Sequence, residues 1–274
     1  MTSLERAALL VAWAEPSSVV RFFLDTWTVA QGELRKIAHD PTELLTRAVQ
    51  PILWLLVFGQ VLAQARAIPT GSLGYMDFLA PGVLAQSALF SAIFFGIAVI
   101  WERDLGVLHK YLVSPASRLS LVSGKALAGG LRALVQAVVV YAVAAAIGIH
   151  LRLGVAEVLG VILVTVLGAA CFATFSLIIA CLVRSRERFM GIGQVLTMPL
   201  FFASSAIYPV ALMPSWLQVV AHLNPLTYQV DALRALMVVG GTATFPLALD
   251  FGVLAASLAV LLAIAARLYP RLAM

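Results

Sequence analysis

Residues Val155 to Val183 read VAEVLGVILVTVLGAACFATFSLIIACLV, and this stretch decides the class of the fold. Its only charged residue is Glu157, close to the first end, so nearly all of the run gains nothing from contact with water. A helix needs roughly 20 consecutive apolar residues to cross a lipid bilayer, and this run is longer than that. We therefore predict a membrane-spanning helix that is tilted or extends beyond the lipid.

The composition of the whole chain also indicates a bilayer as its solvent. Of the 274 residues, 62% are hydrophobic and only 11% are charged, and the mean hydropathy is +1.01. Soluble domains average about 25% charged residues. The formal charge of +5 does not indicate nucleic acid as a partner, because the basic residues lie in short segments between apolar runs. Control of topology and contact with membrane lipid explain these residues better.

Five other apolar runs are long enough to span, which predicts an all-α integral membrane protein with six transmembrane helices. The segment Pro209 to Thr244, before the last run, is apolar but contains three prolines and a Gly-Gly pair. Because proline and glycine interrupt helices, we expect a re-entrant outer helical hairpin between spans five and six. The five further runs lie at Leu44 to Leu62, Phe78 to Ile100, Ala126 to Ile149, Met190 to Tyr208 and Ala248 to Leu268.

The part of the chain before the first span has the pattern of an amphipathic helix. Its apolar residues recur at helical spacing, and its charged residues fall largely on the other face, which is typical of a helix lying in the membrane interface. A helix packed against a soluble domain is the alternative. The apolar positions are Val20, Phe23, Leu24, Trp27, Ala30, Leu34, Ile37 and Ala38, and the charged ones are Arg21, Asp25, Arg35 and Lys36.

A new helix is expected to start at Asp40-Pro41-Thr42-Glu43, which supplies an N-cap, a proline at the first helical position and a carboxylate three residues after the cap. We therefore divide the chain into a cytoplasmic N-terminus with the interfacial helix, residues 1–43, and a transmembrane domain, residues 44–274.

The basic residues predict the orientation of the spans. When the N-terminus is placed inside, all of the 18 Lys and Arg residues except Arg66, Arg152 and Arg234 fall on one side of the membrane. Lys and Arg are retained on the cytoplasmic side, so this distribution favours an N-in, C-in topology. It also supports an even number of spans.

The sequence lacks a phosphate-binding loop. Gly124-Lys125 is the only Gly-Lys pair, but that loop requires a Gly five residues before the second Gly and Ser or Thr after the Lys. Those positions hold Leu119 and Ala126. We therefore expect no cofactor on this chain and no catalytic activity of its own. The scattered His and Cys residues show no metal-ligand spacing either.

Two further segments carry candidate functional residues. The cytoplasmic connection Trp101 to Lys125 contains a short amphipathic helix with a charged start, which either binds another protein or is a solvated loop without a partner. The fifth span carries polar residues that either line a translocation path or satisfy neighbouring helices. These path candidates are Gln194, Thr197, Ser204 and Ser205.

Two motifs resemble the ABC-2 type permease family, and most closely its daunorubicin-resistance type of drug or lipid exporter permease. The more specific motif is Asn224-Pro225-Leu226-Thr227-Tyr228 followed by Asp231-Ala232-Leu233-Arg234. The second is Glu102-Arg103-Asp104-Leu105-Gly106 through Leu112-Val113-Ser114-Pro115. Trp101, Asp104 and Val107 depart from the family's usual pattern. The resemblance covers nearly the whole chain.

This resemblance implies a multi-pass permease in a bacterial cytoplasmic membrane that forms a homodimer, or a dimer with a paralogous permease, and assembles with two copies of a separate ATP-binding-cassette ATPase. ATP and Mg would be bound by that ATPase. The interfacial helix and the connection would couple the permease to the ATPase, through Glu102, Arg103, Asp104, Gly106, Leu108, Leu112 and Pro115. The outer hairpin would shield the external exit, with Asn224, Pro225, Tyr228, Asp231 and Arg234 as its site residues.

Spacing gives some of these outer residues a local interpretation as well. Asn224 and Pro225 are placed to cap a helix, and Asp231 and Arg234, three residues apart, can pair on one helical face. Their role is either purely structural or includes contact with substrate.

The function that we expect is export of a lipophilic or amphiphilic substrate such as a drug, lipid or glycolipid, powered by the ATPase. A polysaccharide exporter permease of the same family is an alternative. An ATP-independent channel or secondary transporter is another, although the predicted spans carry no ionisable groups near their middles. An intramembrane enzyme is disfavoured because no nucleophile, base or metal constellation appears.

Overall fold

The structure is a computed structural model that describes residues 18–38, 49–66, 68–71, 73–107, 114, 116–183 and 185–270. These residues form an all-helical fold, in which the only β contact is one isolated antiparallel bridge between Leu151 and Val238. We number the helices α1 to α9 in chain order. They are Ser18–Ala38, Val49–Ala65, Tyr75–Asp104, Arg118–Ala146, Val155–Leu182, Arg186–Phe202, Ser215–Leu223, Pro225–Met237 and Leu247–Leu268.

The quoted stretch forms α5, and α5 is the centre of the fold. It packs against α3, α4, α8 and α9. Buried residues such as Val164, Phe172 and Leu177 lie along its length. A helix that is apolar on all sides is expected to be surrounded by other helices or by lipid, because no face of it gains from water. The run that is most clearly a span in the sequence is therefore also the helix around which the others assemble.

Four helices, α3, α4, α5 and α9, are long and apolar enough to cross a membrane. The other two predicted spans are shorter helices in the described ranges. The first is α2, which contains a π-helical stretch at Trp54–Gly59, and residues 44–48 of that prediction lie outside the described residues. The second is α6, which ends at Phe202, so the predicted end at Tyr208 was wrong.

The early end of α6 has a visible cause. The side-chain amide of Asn224 donates hydrogen bonds to the carbonyl oxygens of Leu200 and Ala203, at 2.6 and 2.8 Å. Carbonyl groups at a helix end have no partner within the helix and need another donor. A residue from the following segment thus terminates α6, which hydropathy alone does not predict.

The segment 209–244 is broken into short helices, as its prolines and glycines predict. A 3₁₀ turn at Val210–Leu212 is followed by α7, which begins after Pro214, and by α8, which begins with Pro225. The Oδ1 atom of Asn224 accepts a hydrogen bond from the backbone N–H of Leu226 at 3.0 Å. The predicted cap, with proline in the first turn, is therefore confirmed.

The amphipathic helix is present as α1, and its two faces have opposite surroundings. Val19, Phe23 and Trp27 on the apolar face are more than half exposed. The buried residues Thr26, Ala30 and Glu33 lie together along one side of the helix, where α1 packs against α4, so Ala30, which was predicted for the apolar face, lies at the border of this contact. The exposed part of the apolar face is therefore turned away from the rest of the described chain.

The backbone of α3 lies very close to the irregular segment that follows α6. A Cβ atom added at Gly82 would lie 2.2 Å from the backbone carbonyl oxygen of Ala206. Real carbon–oxygen contacts of this kind do not occur, so any side chain at this position must displace the backbone. In contrast, Gly252 in α9 has no atom within 4 Å of its added Cβ.

We predict that Gly82→Ala destabilises the protein by about 1–3 kcal/mol, the usual cost of overpacking a core. The matched control is Gly252→Ala, which has room for the methyl group and should cause no loss. Thermal melting of the purified proteins in detergent micelles measures both. Equal melting temperatures for the two variants would contradict the close contact between α3 and the segment after α6.

Candidate functional site: a buried charge cluster

Three helices meet at a buried lysine. The Nζ atom of Lys125, in the second turn of α4, lies 2.9 Å from Oε1 of Glu33 in α1 and 2.6 Å from Oε2 of Glu102 in α3. The three side chains are only 2%, 3% and 9% exposed. We call Glu33, Glu102 and Lys125 the charge cluster. It connects the N-terminal helix to both ends of the connection between α3 and α4.

Aromatic groups complete the surroundings of the charge cluster. The ring centroid of Phe95 lies 6.0 Å from the Lys125 ammonium group. Tyr269, in the last described turn of the chain, is fully buried and within electrostatic reach of the same lysine. Cations are attracted to the faces of aromatic rings, more strongly where water is excluded. The C-terminal part of the chain therefore reaches the same point as the N-terminal helix.

The charge cluster is held together by strong interactions but is costly to create. Moving charges from water into a low-dielectric interior carries a penalty of several kcal/mol per ion, and only good geometry and additional hydrogen bonds offset it. The main effect of such a cluster is therefore to fix the relative positions of its helices, and its contribution to net stability is smaller. Removal of one member leaves an uncompensated charge, which is the expensive case.

A second set of charges lies beside the cluster at the end of α3. Asp104 accepts hydrogen bonds from Arg103 and from Arg186 in the first turn of α6, the shortest at 3.0 and 2.8 Å. The Arg186 guanidinium lies 4.9 Å from the ring centroid of Trp101. Two of the residues that depart from the family pattern, Trp101 and Asp104, thus contact the same arginine. These groups are exposed to solvent, which screens their charges, so each ion pair contributes little to stability.

The turn after α3 explains one further residue of the predicted coupling segment. Gly106 has a φ of +71° and donates its backbone N–H to the carbonyl oxygen of Arg103 at 2.9 Å. A glycine in this left-handed conformation is the common way to end a helix. Of the other predicted coupling residues, Glu102 is buried in the charge cluster and Arg103 is partly exposed. Leu108, Leu112 and Pro115 lie outside the described residues.

The predicted outer residues lie in or beside α8, where Arg234 packs on the ring of Phe78 near the start of α3. Glu102 is near the other end of α3. At roughly 1.5 Å per residue, Phe78 and Glu102 are about 36 Å apart along the helix. The hydroxyl of Tyr228 donates to the carbonyl oxygen of His222 at 2.8 Å, and its ring packs on Phe245. Pro225 begins α8, and Asn224 connects α8 to α6.

Asp231 and Arg234 do not form the direct pair that their spacing suggested. Asp231 Oδ2 accepts the backbone N–H groups of Thr244 and Phe245, at 2.7 and 2.9 Å. Arg234 Nη2 donates to the carbonyl oxygen of Ser205 at 2.6 Å. The expected pairing was wrong, because each side chain instead bonds to backbone groups of another segment.

The predicted path residues occupy different environments. Gln194 is exposed on α6. Thr197 is buried and donates to the carbonyl oxygen of Gly193 at 2.5 Å, and Ser204 donates to that of Phe201 at 2.6 Å. Ser205 donates to the carbonyl oxygen of Thr227 at 3.5 Å and contributes to a polar cavity beside α8. The structure therefore does not bring these four residues onto one surface.

Sequence reasoning missed Glu33 and Lys125 as partners. The available signal was that Glu33 lies on the same side of α1 as Thr26 and Ala30, so a carboxylate adjoins the apolar stripe. Its partner could not be identified, since Lys125 is 92 residues away in the chain. The described residues contain no group of His, Cys, Asp and Glu side chains that could hold a metal ion.

Apolar helices long enough to span a bilayer, assembled around α5 and joined at one end by buried charges, define a helical integral membrane protein. The two motifs that resembled a permease lie at opposite ends of this bundle. The chain belongs to the ABC-2 type transporter family, whose profile matches residues 25–238. Membership of this family implies a partner ATPase subunit.

Several known proteins are similar to the chain over most of its length. The putative transport permease ycf38 of Cyanophora paradoxa is 29% identical over 80% of this chain and 77% of its own length. The daunorubicin resistance ABC transporter permease protein DrrB1 of Streptomyces coeruleorubidus is 26% identical over 76% of this chain and 72% of its own. Nodulation protein J of Rhizobium leguminosarum bv. trifolii is 28% identical, over 71% and 73% respectively.

We predict that Lys125→Met destabilises the protein by about 3–5 kcal/mol, because it removes the buried cation that both Glu33 and Glu102 contact. For a chain of this size, that corresponds to a melting temperature lower by about 6–20 °C, at roughly 2–4 °C per kcal/mol. Arg118→Met, an exposed position on the same helix, is the control and should change the melting temperature little. Similar values for the two variants would contradict a buried cluster.

Proposed function

We propose that this chain is the permease subunit of an ATP-driven exporter that moves a lipophilic or amphiphilic substrate outward across a bacterial cytoplasmic membrane. Family membership supports the transporter class. The similarity to the daunorubicin and doxorubicin resistance permeases supports a drug-like or lipid-like cargo, because those proteins carry such activities in their names. The apolar character of the bundle also suits a cargo that partitions into lipid.

The observation that carries the proposal is the charge cluster. Glu102 and Lys125 lie near the two ends of the connection that leads from α3 to α4, and Glu33 belongs to the N-terminal helix. Force applied to the connection by a partner protein therefore acts on α1, α3 and α4 together. A rigid joint of this kind is what a subunit without its own nucleotide site needs in order to receive work from another subunit.

In this mechanism the permease performs no covalent chemistry. The ATPase subunits bind ATP and Mg, and their association and dissociation change which permease conformation is more stable. A ligand shifts a conformational equilibrium only by its difference in affinity for the two states. The contact with the ATPase must therefore differ between the inward-facing and outward-facing states, and Arg103 and Asp104 are partly exposed groups placed to make that contact.

The topology that we propose has six spans with both termini in the cytoplasm and 209–244 as a re-entrant outer hairpin. The exposed apolar face of α1 suits a helix that lies in the membrane interface. The broken helices α7 and α8 suit a hairpin that enters the membrane from one side. Two permease copies and two ATPase copies would form the complete exporter.

We predict that Arg103→Glu lowers the permease-stimulated ATPase activity about tenfold, an effect of roughly 1.4 kcal/mol on the coupled step. The new carboxylate repels Asp104 and alters the charge presented to the partner. Arg66→Glu is the matched control, since Arg66 is exposed at the end of α2 that leads to the opposite end of α3. The assay uses the full-length permease reconstituted with the ATPase that co-purifies with it.

Normal stimulation by Arg103→Glu, in a complex that assembles normally, would contradict the coupling role. Ion conductance from the permease reconstituted alone would favour a channel instead. Glu102 is not a suitable position for this test, because its charge is part of the buried cluster and its reversal would disturb folding as well as coupling.

A further inference from the structure

A polar cavity lies beside α8, at the end of the bundle opposite the charge cluster. Its volume is about 230 Å³. Its walls come from the start of α3, the irregular segment after α6, the two helices α7 and α8, and the loop before α9. The lining residues that matter here are Phe78, Ser205, Thr227, Asp231, Arg234 and Thr244.

Three polar atoms of this lining have no hydrogen-bond partner in the part of the chain that the structure describes. They are Oγ1 of Thr227, Oδ1 of Asp231 and Nε of Arg234. The three residues are only 1%, 1% and 5% exposed. A buried polar group without a partner destabilises the fold, and more so when it is charged. All three residues line one cavity, and their unpartnered polar atoms indicate a site adapted to a polar ligand.

The charged side chains are fixed in place before any ligand arrives. Asp231 is held through Oδ2 by the N–H groups of Thr244 and Phe245. Arg234 is held by the carbonyl oxygen of Ser205, and its guanidinium lies 3.9 Å from the ring centroid of Phe78. Each of these cavity-lining side chains thus keeps one polar atom without a partner in the described residues. Such preorganisation reduces the cost of ordering groups on binding.

The charges around the cavity select the ligand. Arg234 supplies a cationic donor and Asp231 an anionic acceptor, so a ligand with only an anion or only a cation leaves one of them unpaired. A primary ammonium group therefore suits the Asp231 side better than a neutral hydroxyl, since charge-assisted hydrogen bonds are the stronger ones.

The size of the cavity limits the ligand further. Sites for whole drug-sized molecules have volumes of about 300–1,000 Å³, and this cavity is smaller. It can enclose a headgroup while the apolar part of the molecule stays outside in the lipid. We propose that this cavity binds a zwitterionic headgroup, with its anionic group on Arg234 and its primary ammonium group on Asp231.

The inference depends on the proposed export function only for its location at the outer face, where it would receive or release the headgroup of an amphiphile. The binding itself involves no ATPase. It is therefore tested on the purified full-length permease alone, and failure of the export proposal leaves this test intact.

The test compares three short-chain phospholipids by isothermal titration calorimetry. Phosphatidylethanolamine has the primary ammonium group, phosphatidylcholine has a cation without N–H donors, and phosphatidylglycerol has no cation. We expect phosphatidylethanolamine to bind the unmodified chain about tenfold more tightly than either of the others, a difference of roughly 1.4 kcal/mol.

The decisive variant is Asp231→Asn. It removes the charge but keeps an oxygen that accepts the N–H groups of Thr244 and Phe245. The affinity for phosphatidylethanolamine should then be about equal to the affinity for each of the other two lipids. Asp77→Asn is the matched control, because Asp77 is a carboxylate at the same end of α3 that does not line the cavity, and it should keep the full ratio.

Equal affinity for the three lipids, or a preference that survives in Asp231→Asn, would overturn the proposal. Tighter binding of octyl glucoside than of phosphatidylethanolamine would also overturn it and would assign the cavity to a neutral sugar. If Asp231→Asn does not fold, Arg234→Lys serves in its place, since it keeps the charge but loses the Nε donor. Loss of binding in that variant supports the proposal, and unchanged binding contradicts it.

Discussion

An unpaired polar group costs free energy inside a lipid bilayer, and this cost determines how the molecule is organised. Apolar side chains suffice for most of the length of α3, α4 and α5, because lipid and neighbouring helices surround them. The principal buried charges are placed near the two ends of α3. One end holds the charge cluster around Lys125, and the other holds Asp231 and Arg234 beside Phe78. The two functional proposals follow from this division.

The two polar regions differ in how their charges are satisfied. Lys125 is bound directly by two carboxylates from other helices, which makes a joint between them. Asp231 and Arg234 are bound by backbone groups, which fixes each one beside a cavity and leaves a polar atom of each without a partner in the described residues. The first arrangement is suited to transmitting force, and the second is suited to binding. Buried ionic groups are weak evidence for stability, so a positional role explains the charge cluster better.

The hydropathy of the chain and the positions of its prolines and glycines predicted much of the fold from the sequence. The run from Val155 to Val183 became α5, and the prolines before residue 226 divided the segment 209–244 into α7 and α8. Both rest on local properties of the chain. The end of α6 at Phe202 and the partners of Asp231 could not be predicted, because they depend on Asn224 and on the loop at Thr244 folding back. Glu102 was predicted to serve coupling, but its burial follows only from its contact with Lys125.

The most direct test of this organisation is labelling of single cysteines in intact cells, in a background where Cys171 and Cys181 are replaced by Ser. Leu105 and Leu153 are both more than two-thirds exposed and lie near opposite ends of the bundle. A membrane-impermeant maleimide should label Leu153→Cys from outside and should label Leu105→Cys only after the cells are opened. Labelling of Leu105→Cys in intact cells would contradict the placement of the charge cluster at the cytoplasmic face.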